Sequence, residues 1–274
     1  KGDEVIVPVP YWVSYAEMIK LAEAKSVFCK SDDKFKLTAK DVEEKITDKT
    51  KAIILNFPNN PSGATIDESE LRKIADIAVK NNLYVVSDEV YEHFVYGNSK
   101  FVSIASLNED IKRLTITVNS VSKTYAMTGW RIGYCGAPKE IIKPMTSLQS
   151  HSTSNPSNIA QMAALEAITG PQDSVKQMVQ AFDERRKFIH KRLNEIDGIK
   201  CVEPEGAFYA FADISGTGMN SMDFASKLLD EALVAVVPGG AFGVDICVRL
   251  SYATSVKEIS KGLDRIDKWL KSRK

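Results

Sequence analysis

Apolar positions fall into short runs that alternate with stretches of helical period. Residues 5–9 predict a strand, 15–24 a helix and 26–29 a second strand. Lys51 to Asn56 (KAIILN) is a continuous apolar run of the kind found in strands covered on both faces. Asp67 then predicts an N-cap, with Glu70 three residues on as its capping-box partner. The helix that follows extends to Lys80 and stops at Asn81-Asn82. Residues 83–87 (LYVVS), 114–118 (LTITV) and 132–135 predict further strands. Helical period dominates 138–194, broken near Ser154-Asn155-Pro156. Its long stretch 175–196 is placed as a link between two domains. After it come strands at 207–212, 234–237 and 247–252 and helices at 222–231 and 256–271.

Strands separated by helices predict an α/β protein with a mostly parallel mixed sheet flanked by helices. A large domain is expected over 1–174, followed by the connecting helix and a smaller α+β domain over 175–274. Ligands of such sheets lie beyond the carboxyl ends of the strands. This directs attention to Asn59-Asn60-Pro61, to Asp88-Glu89-Val90-Tyr91 and to Ser120-Val121-Ser122-Lys123.

Composition changes this picture little. The 274 residues are 44% hydrophobic and 26% charged, which is ordinary globular usage and enough for a sizeable core. Lys plus Arg, 36, equals Asp plus Glu, 36, so the formal net charge is zero. No basic excess recommends nucleic acid as a partner. Cys29, Cys135, Cys201 and Cys247 form no Cys-x-x-Cys and are expected to be reduced, buried thiols, which fits a cytoplasmic setting. No apolar run approaches the ~20 residues of a membrane helix. Lys1-Gly2-Asp3-Glu4-Val5 lacks an initiating Met and resembles a turn entering a strand. The expectation is that the chain begins inside a larger protein.

The chemistry centres on Lys123, in Ser120-Val121-Ser122-Lys123-Thr124-Tyr125-Ala126-Met127-Thr128-Gly129-Trp130-Arg131-Ile132-Gly133. Two hydroxyls and a guanidinium eight residues on suit a phosphate. A lysine beside a phosphate site is what a Schiff-base cofactor needs. Asp88 ends an apolar strand and is either a helix N-cap or a carboxylate facing a cationic heterocycle. At ~3 Å and an effective dielectric of ~20 the second arrangement is worth roughly 5 kcal/mol before desolvation. Tyr91 shares the face of Asp88 if a helical turn follows. Asn60 sits in a turn, Asn59-Asn60-Pro61-Ser62-Gly63, with a side chain free to donate to a ligand. Arg249, inside the apolar run Cys247-Val248-Arg249-Leu250-Ser251, needs either a structural carboxylate or a substrate carboxylate. Trp12 is either core or a stacking platform. No metal site is expected.

Together these motifs resemble the fold-type I aminotransferases of the aspartate aminotransferase family. Pro10-Tyr11-Trp12-Val13-Ser14-Tyr15 and Ala126-Met127-Thr128-Gly129-Trp130-Arg131 are most similar to its prokaryotic-type branch. The resemblance covers the whole chain and implies pyridoxal 5'-phosphate as cofactor. It implies that Lys123 forms the aldimine and shuttles the proton, and that Asp88 binds the pyridinium nitrogen. Tyr91 and Asn60 are implied to meet the ring hydroxyl oxygen, and Trp12 to stack on the ring. Ser120, Ser122 and Arg131 are implied to hold the phosphate, and Arg249 the substrate α-carboxylate. The implied reaction moves an amino group from an L-amino acid, aspartate being expected, to a 2-oxo acid such as 2-oxoglutarate. A homodimer is implied as well. The family carries an N-terminal portion before the position of Lys1, with a glycine-rich phosphate loop, part of the small domain and the reader of a distal carboxylate. Carbon–sulfur lyases, aminocyclopropane-carboxylate synthases and catalytically inactive cofactor-binding proteins share the same motifs.

Overall fold

The structure is a computed structural model and describes residues 1–273. Its first half runs β1 (Glu4–Val9), α1 (Ser14–Leu21), β2 (Lys25–Lys30), α2 (Ala39–Glu43), β3 (Thr50–Asn56), α3 (Glu68–Lys80), β4 (Tyr84–Asp88), α4 (Glu109–Lys112), β5 (Thr115–Ser120), α5 (Val121–Thr124) and β6 (Gly133–Gly136). The strands form one sheet in the order β2-β1-β3-β4-β5-β6. All neighbours are parallel except β6, which returns antiparallel to β5 and pairs Gly133 with Ser120. Parallel strands covered on both faces need apolar residues at successive positions, and β3 shows the consequence. Ile53 and Leu55 enter one core with Leu71, Ile74, Ala75 and Ala78 of α3, whereas Ile54 faces Val7, Tyr15 and Ile19 on the other side.

The second half runs α6 (Lys139–Ser152), α7 (Asn158–Thr169), α8 (Asp173–Leu193), β7 (Lys200–Cys201), β8 (Tyr209–Asp213), α9 (Ser221–Ala232), β9 (Val237–Pro238), β10 (Cys247–Ser251) and α10 (Val256–Lys271). Its strands make a smaller antiparallel sheet in the order β7-β8-β10-β9. The stretch expected to be a strand at 234–237 is strand only at Val237, which with Pro238 forms β9. The core of this half joins α8, β8, β10 and α10 to Tyr91, Phe94 and Tyr96, which lie just past β4. The two sheets therefore share packing near the end of β4. Buried Arg186 of α8 bonds Asp183 at 2.8 Å, Glu203 at 2.6 Å and the carbonyl of Pro204 at 3.0 Å.

Two local expectations are corrected. Asp67 does cap α3 by position, but its side chain accepts no cap hydrogen bond. The carboxylate of Glu70 is committed elsewhere, to the backbone N–H of Ala39 at 2.8 Å and to Lys73 at 2.6 Å. The capping box belongs instead to Thr38 and Asp41 at the start of α2. Helix α1 stops at Leu21, short of the expected 24, because Glu23 turns left-handed with φ 55°. That conformation costs a non-glycine residue about 1–2 kcal/mol and ends a helix.

Helix α6 buries none of its side chains, and α7 buries only Ala160 and Ala164. Leu148, Ile159, Met162 and Leu165 are each more than half exposed. Among the described residues no helix is long and apolar enough to cross a membrane.

Candidate active site

The carboxyl ends of β1, β3, β4 and β5 open on one side of the large sheet, and β8 and β10 of the second sheet face them. Between them lies a cavity of about 490 Å³, within the range of sites that hold a cofactor and a small substrate. Trp12, Asn60, Asp88, Tyr91, Ser120, Ser122, Lys123, Arg131 and Arg249 all line it. Nine residues spread from position 12 to position 249 are thus gathered on one surface.

Asp88 is held on several sides. Tyr15 donates its phenol hydrogen to Oδ2 at 2.5 Å, and the N–H of Val90 reaches Oδ1 at 3.2 Å. Asn56 donates its amide to the Asp88 carbonyl at 3.2 Å and accepts the Asn60 N–H at 3.0 Å, so one side chain sets both neighbours. Burial pushes the Asp88 carboxyl above the usual carboxylate range, against the pull of Tyr15, Val90 and Lys123.

Lys123 lies in α5, a single turn that starts where β5 ends. Ser120 is the N-cap, and its hydroxyl accepts the Ser122 N–H at 2.8 Å while keeping its own hydrogen to donate. The Lys123 amine is held below the ordinary lysine range, first by burial and then by the Arg249 and Arg131 guanidinium groups. A depressed amine pKa is what an imine-forming lysine needs. Arg131 takes a left-handed backbone with φ 58°, and its Nη1 donates to the carbonyl of Thr128 at 2.8 Å. Left-handed non-glycine residues store about 1–3 kcal/mol of strain and gather at functional sites.

Arg249 donates from Nη1 to Asn60 Oδ1 at 2.8 Å. Its guanidinium carbon lies 4.5 Å from the centre of the Tyr209 ring and 5.0 Å from that of Phe242. Among the described residues no carboxylate pairs with it, and its buried Nε has no hydrogen-bond partner. A guanidinium in that condition is prepared for an anion from outside the chain. The Tyr91 and Tyr209 hydroxyls share a hydrogen bond of 2.9 Å, and burial raises the pKa of both phenols.

Tyr15, Asn56 and Tyr209 join the site without having been singled out from the sequence. Tyr15 stands three residues after Trp12 and meets it edge-on, with ring centres 5.4 Å apart. That spacing was visible, but its link to Asp88, 73 residues away, was not. Tyr209 follows Phe208 in an aromatic strand, where nothing in the sequence separates a site residue from core.

A half-buried lysine of lowered pKa, a carboxylate at a strand end, hydroxyls and an arginine beside the lysine, and a second arginine lacking a counterion define a lysine-based pyridoxal-phosphate enzyme. The unsatisfied Arg249 Nε and the cationic, hydroxyl-bearing cavity fit that cofactor together with a carboxylate substrate. The family model "Aminotransferase class I and II" matches residues 1–266, and the chain belongs to that family. Transamination with pyridoxal phosphate is the activity of that family and of the relatives that follow.

Similar proteins include an aspartate aminotransferase of Bacillus sp. (strain YM-2), 49% identical over 99% of this chain and 71% of its own length. A probable aspartate/prephenate aminotransferase of Aquifex aeolicus is 47% identical over 98% of this chain and 70% of its length. Among solved structures, the aspartate aminotransferase of Rhizobium meliloti superposes with a TM-score of 0.94 at 43% identity, covering 98% of this chain and 71% of that one. The aromatic aminotransferase of Pyrococcus horikoshii gives 0.96 at 43%, covering 100% and 74%.

Proposed function

We propose that this chain transfers the amino group of aspartate to a 2-oxo acid such as 2-oxoglutarate, with Lys123 as the catalytic lysine. The observation that carries the site assignment is Arg249, a guanidinium without a carboxylate of its own in the cavity that Lys123 lines. When bound, pyridoxal phosphate supplies an aldehyde that takes the amino group and a ring that withdraws the electrons released at the α-carbon.

In this reading Lys123 anchors the cofactor and carries the α-proton on Nζ. Asp88 sets its carboxylate against the ring nitrogen, and Tyr91 and Asn60 donate to the ring hydroxyl oxygen. Trp12 covers the ring face. Ser120 and Ser122 donate to the phosphate and Arg131 adds its fork. Arg249 grips the α-carboxylate and so fixes which bond at the α-carbon is cleaved.

Aspartate is favoured by the names of the Bacillus and Rhizobium proteins, and the Pyrococcus name keeps an aromatic amino acid as the second reading. Steady-state turnover of aspartate, prephenate's amino-acid product and phenylalanine against 2-oxoglutarate decides between them. A kcat/KM for phenylalanine above that for aspartate would overturn the first.

We further propose that the division into a large unit over 1–174 and a smaller one from 175 onward describes the domains, and that the enzyme works as a cytoplasmic homodimer. The apolar faces of α6 and α7 support the dimer. Patches of that kind mark protein contacts, and α6 follows directly on β6, the strand that the loop of Trp130 and Arg131 enters.

A further inference from the structure

We propose that Tyr15 is a positioning residue for the reaction: its phenol hydrogen bond to Asp88 fixes that carboxylate as the anion facing the cofactor's ring nitrogen. This rests on the assignment of Asp88 to that nitrogen. The two side chains come from α1 and from the end of β4, 73 residues apart, and meet at 2.5 Å. Tyr15 is 6% exposed and packs with Val7, Ile19 and Ile54, with Trp12 edge-on against its ring. Its hydroxyl therefore has a fixed direction, and Asp88 Oδ2 is the partner it reaches.

The need for such a donor follows from what else touches Asp88. The Val90 N–H meets Oδ1, and Lys123 is the cation that acts on the carboxylate from α5. Glu89 on its own segment is an acidic neighbour and the Tyr91 phenol stays neutral, so burial is what disfavours the Asp88 charge. A carboxylate so enclosed tends to take up a proton, and a protonated Asp88 would leave the ring nitrogen neutral and a poor electron acceptor. Tyr15 opposes that by donating to the charged form. Burial and the neighbouring Asp88 charge raise the Tyr15 phenol well above its ordinary value, so it keeps its hydrogen throughout the working range. Each carboxylate oxygen has further lone pairs, so accepting Tyr15 and Val90 leaves acceptor capacity for a cationic N–H.

The test uses the protein loaded with pyridoxal phosphate carrying ¹⁵N in the ring, read by ¹⁵N NMR across pH. Wild type is expected to show the protonated-nitrogen signal to high pH. Tyr15→Phe keeps the ring and removes the donor. Its signal is expected to move toward neutral pyridine, and cofactor affinity to weaken about tenfold, the equivalent of one hydrogen bond to a charged group. Replacing Tyr15 with 3-fluorotyrosine strengthens the donor without disturbing packing and is expected to extend the protonated signal to higher pH. That arm decides if Tyr15→Phe does not fold. A purely structural tyrosine would lower the melting temperature and leave both nitrogen titrations where wild type has them, which would overturn the proposal. A wild-type protein that forms no imine at Lys123 would instead overturn the assignment of the site, and this inference with it.

Discussion

Replacing Arg249 by methionine separates a substrate-binding arginine from a structural one. A structural ion pair broken on one side costs about 3–5 kcal/mol, because a charge is left buried alone. Arg249 has no such partner: its contacts are one hydrogen bond to Asn60 at 2.8 Å and the faces of Tyr209 and Phe242. The hydrogen bond is worth about 1 kcal/mol and the ring contacts about 1–2 kcal/mol. Against them stands the cost of holding a guanidinium partly buried with its Nε unsatisfied, itself about 1–3 kcal/mol. The terms nearly cancel, so Arg249→Met is expected to unfold within about 1 kcal/mol of wild type. Turnover tells the opposite story. Losing one partner of a buried charge pair costs about 2–5 kcal/mol of binding, a fall in kcat/KM of roughly 30-fold to 4,000-fold at ~1.4 kcal/mol per decade. Arg186→Met supplies the contrast. Arg186 is fully engaged, but Glu203 is 56% exposed. Allowing for solvent screening, the loss is about 2 kcal/mol of stability, with kcat/KM little changed. Denaturant titration and steady-state kinetics of both variants check the pair. An Arg249→Met protein that unfolds several kcal/mol more easily while turning over normally would refute the reading.

Lys123→Ala is expected to abolish both the imine absorbance and nearly all transamination, read by spectrophotometry and by steady-state assay. Since burial and two guanidinium groups depress the Lys123 pKa, the rate of cofactor capture should rise with pH and level off below the ordinary lysine value of about 10.4. Arg249→Met removes one of those charges and should move the plateau to higher pH, as stopped-flow absorbance will register. Asp88 has a folded-state pKa raised by burial, so its ionisation destabilises the cofactor-free protein above the unfolded pKa of about 3.9. Asp88→Asn should therefore raise the melting temperature at pH 7, the gain shrinking as pH falls toward 4, while slowing proton abstraction severely. Leu148→Glu with Ile159→Glu should shift sedimentation toward the monomer if α6 and α7 form the dimer contact.

The large sheet was legible because its strands are covered on both faces, and continuous apolar runs such as KAIILN leave few alternatives. The ends of those runs pointed to Asn60, Asp88 and Lys123 for the same reason. What escaped were contacts decided by side-chain reach across the fold. Glu70 had a free choice between capping its own helix and bonding the N–H of Ala39, and sequence spacing sees only the first. Tyr15 and Tyr209 are aromatic residues among other aromatic residues until Asp88 and Tyr91 are brought beside them. Helix α6 has an ordinary amphipathic pattern, and only the fold reveals that none of its side chains is buried among the described residues. All four cysteines are free as expected, but only Cys29, Cys201 and Cys247 are buried, where burial pushes the thiols up to about 12; Cys135 is half-buried.

Gathering the cavity from Trp12 through Arg249 has a consequence for the life of the protein as well as for its chemistry. No local segment holds enough of the wall to retain the cofactor, so only a chain with both sheets assembled binds it tightly. A ligand that binds the native state alone stabilises it by mass action, by about 2.7 kcal/mol when free ligand stands at a hundred times its dissociation constant. Vitamin supply would then set how long each molecule survives proteolysis, and a cell starved of the cofactor would lose the enzyme itself along with its activity.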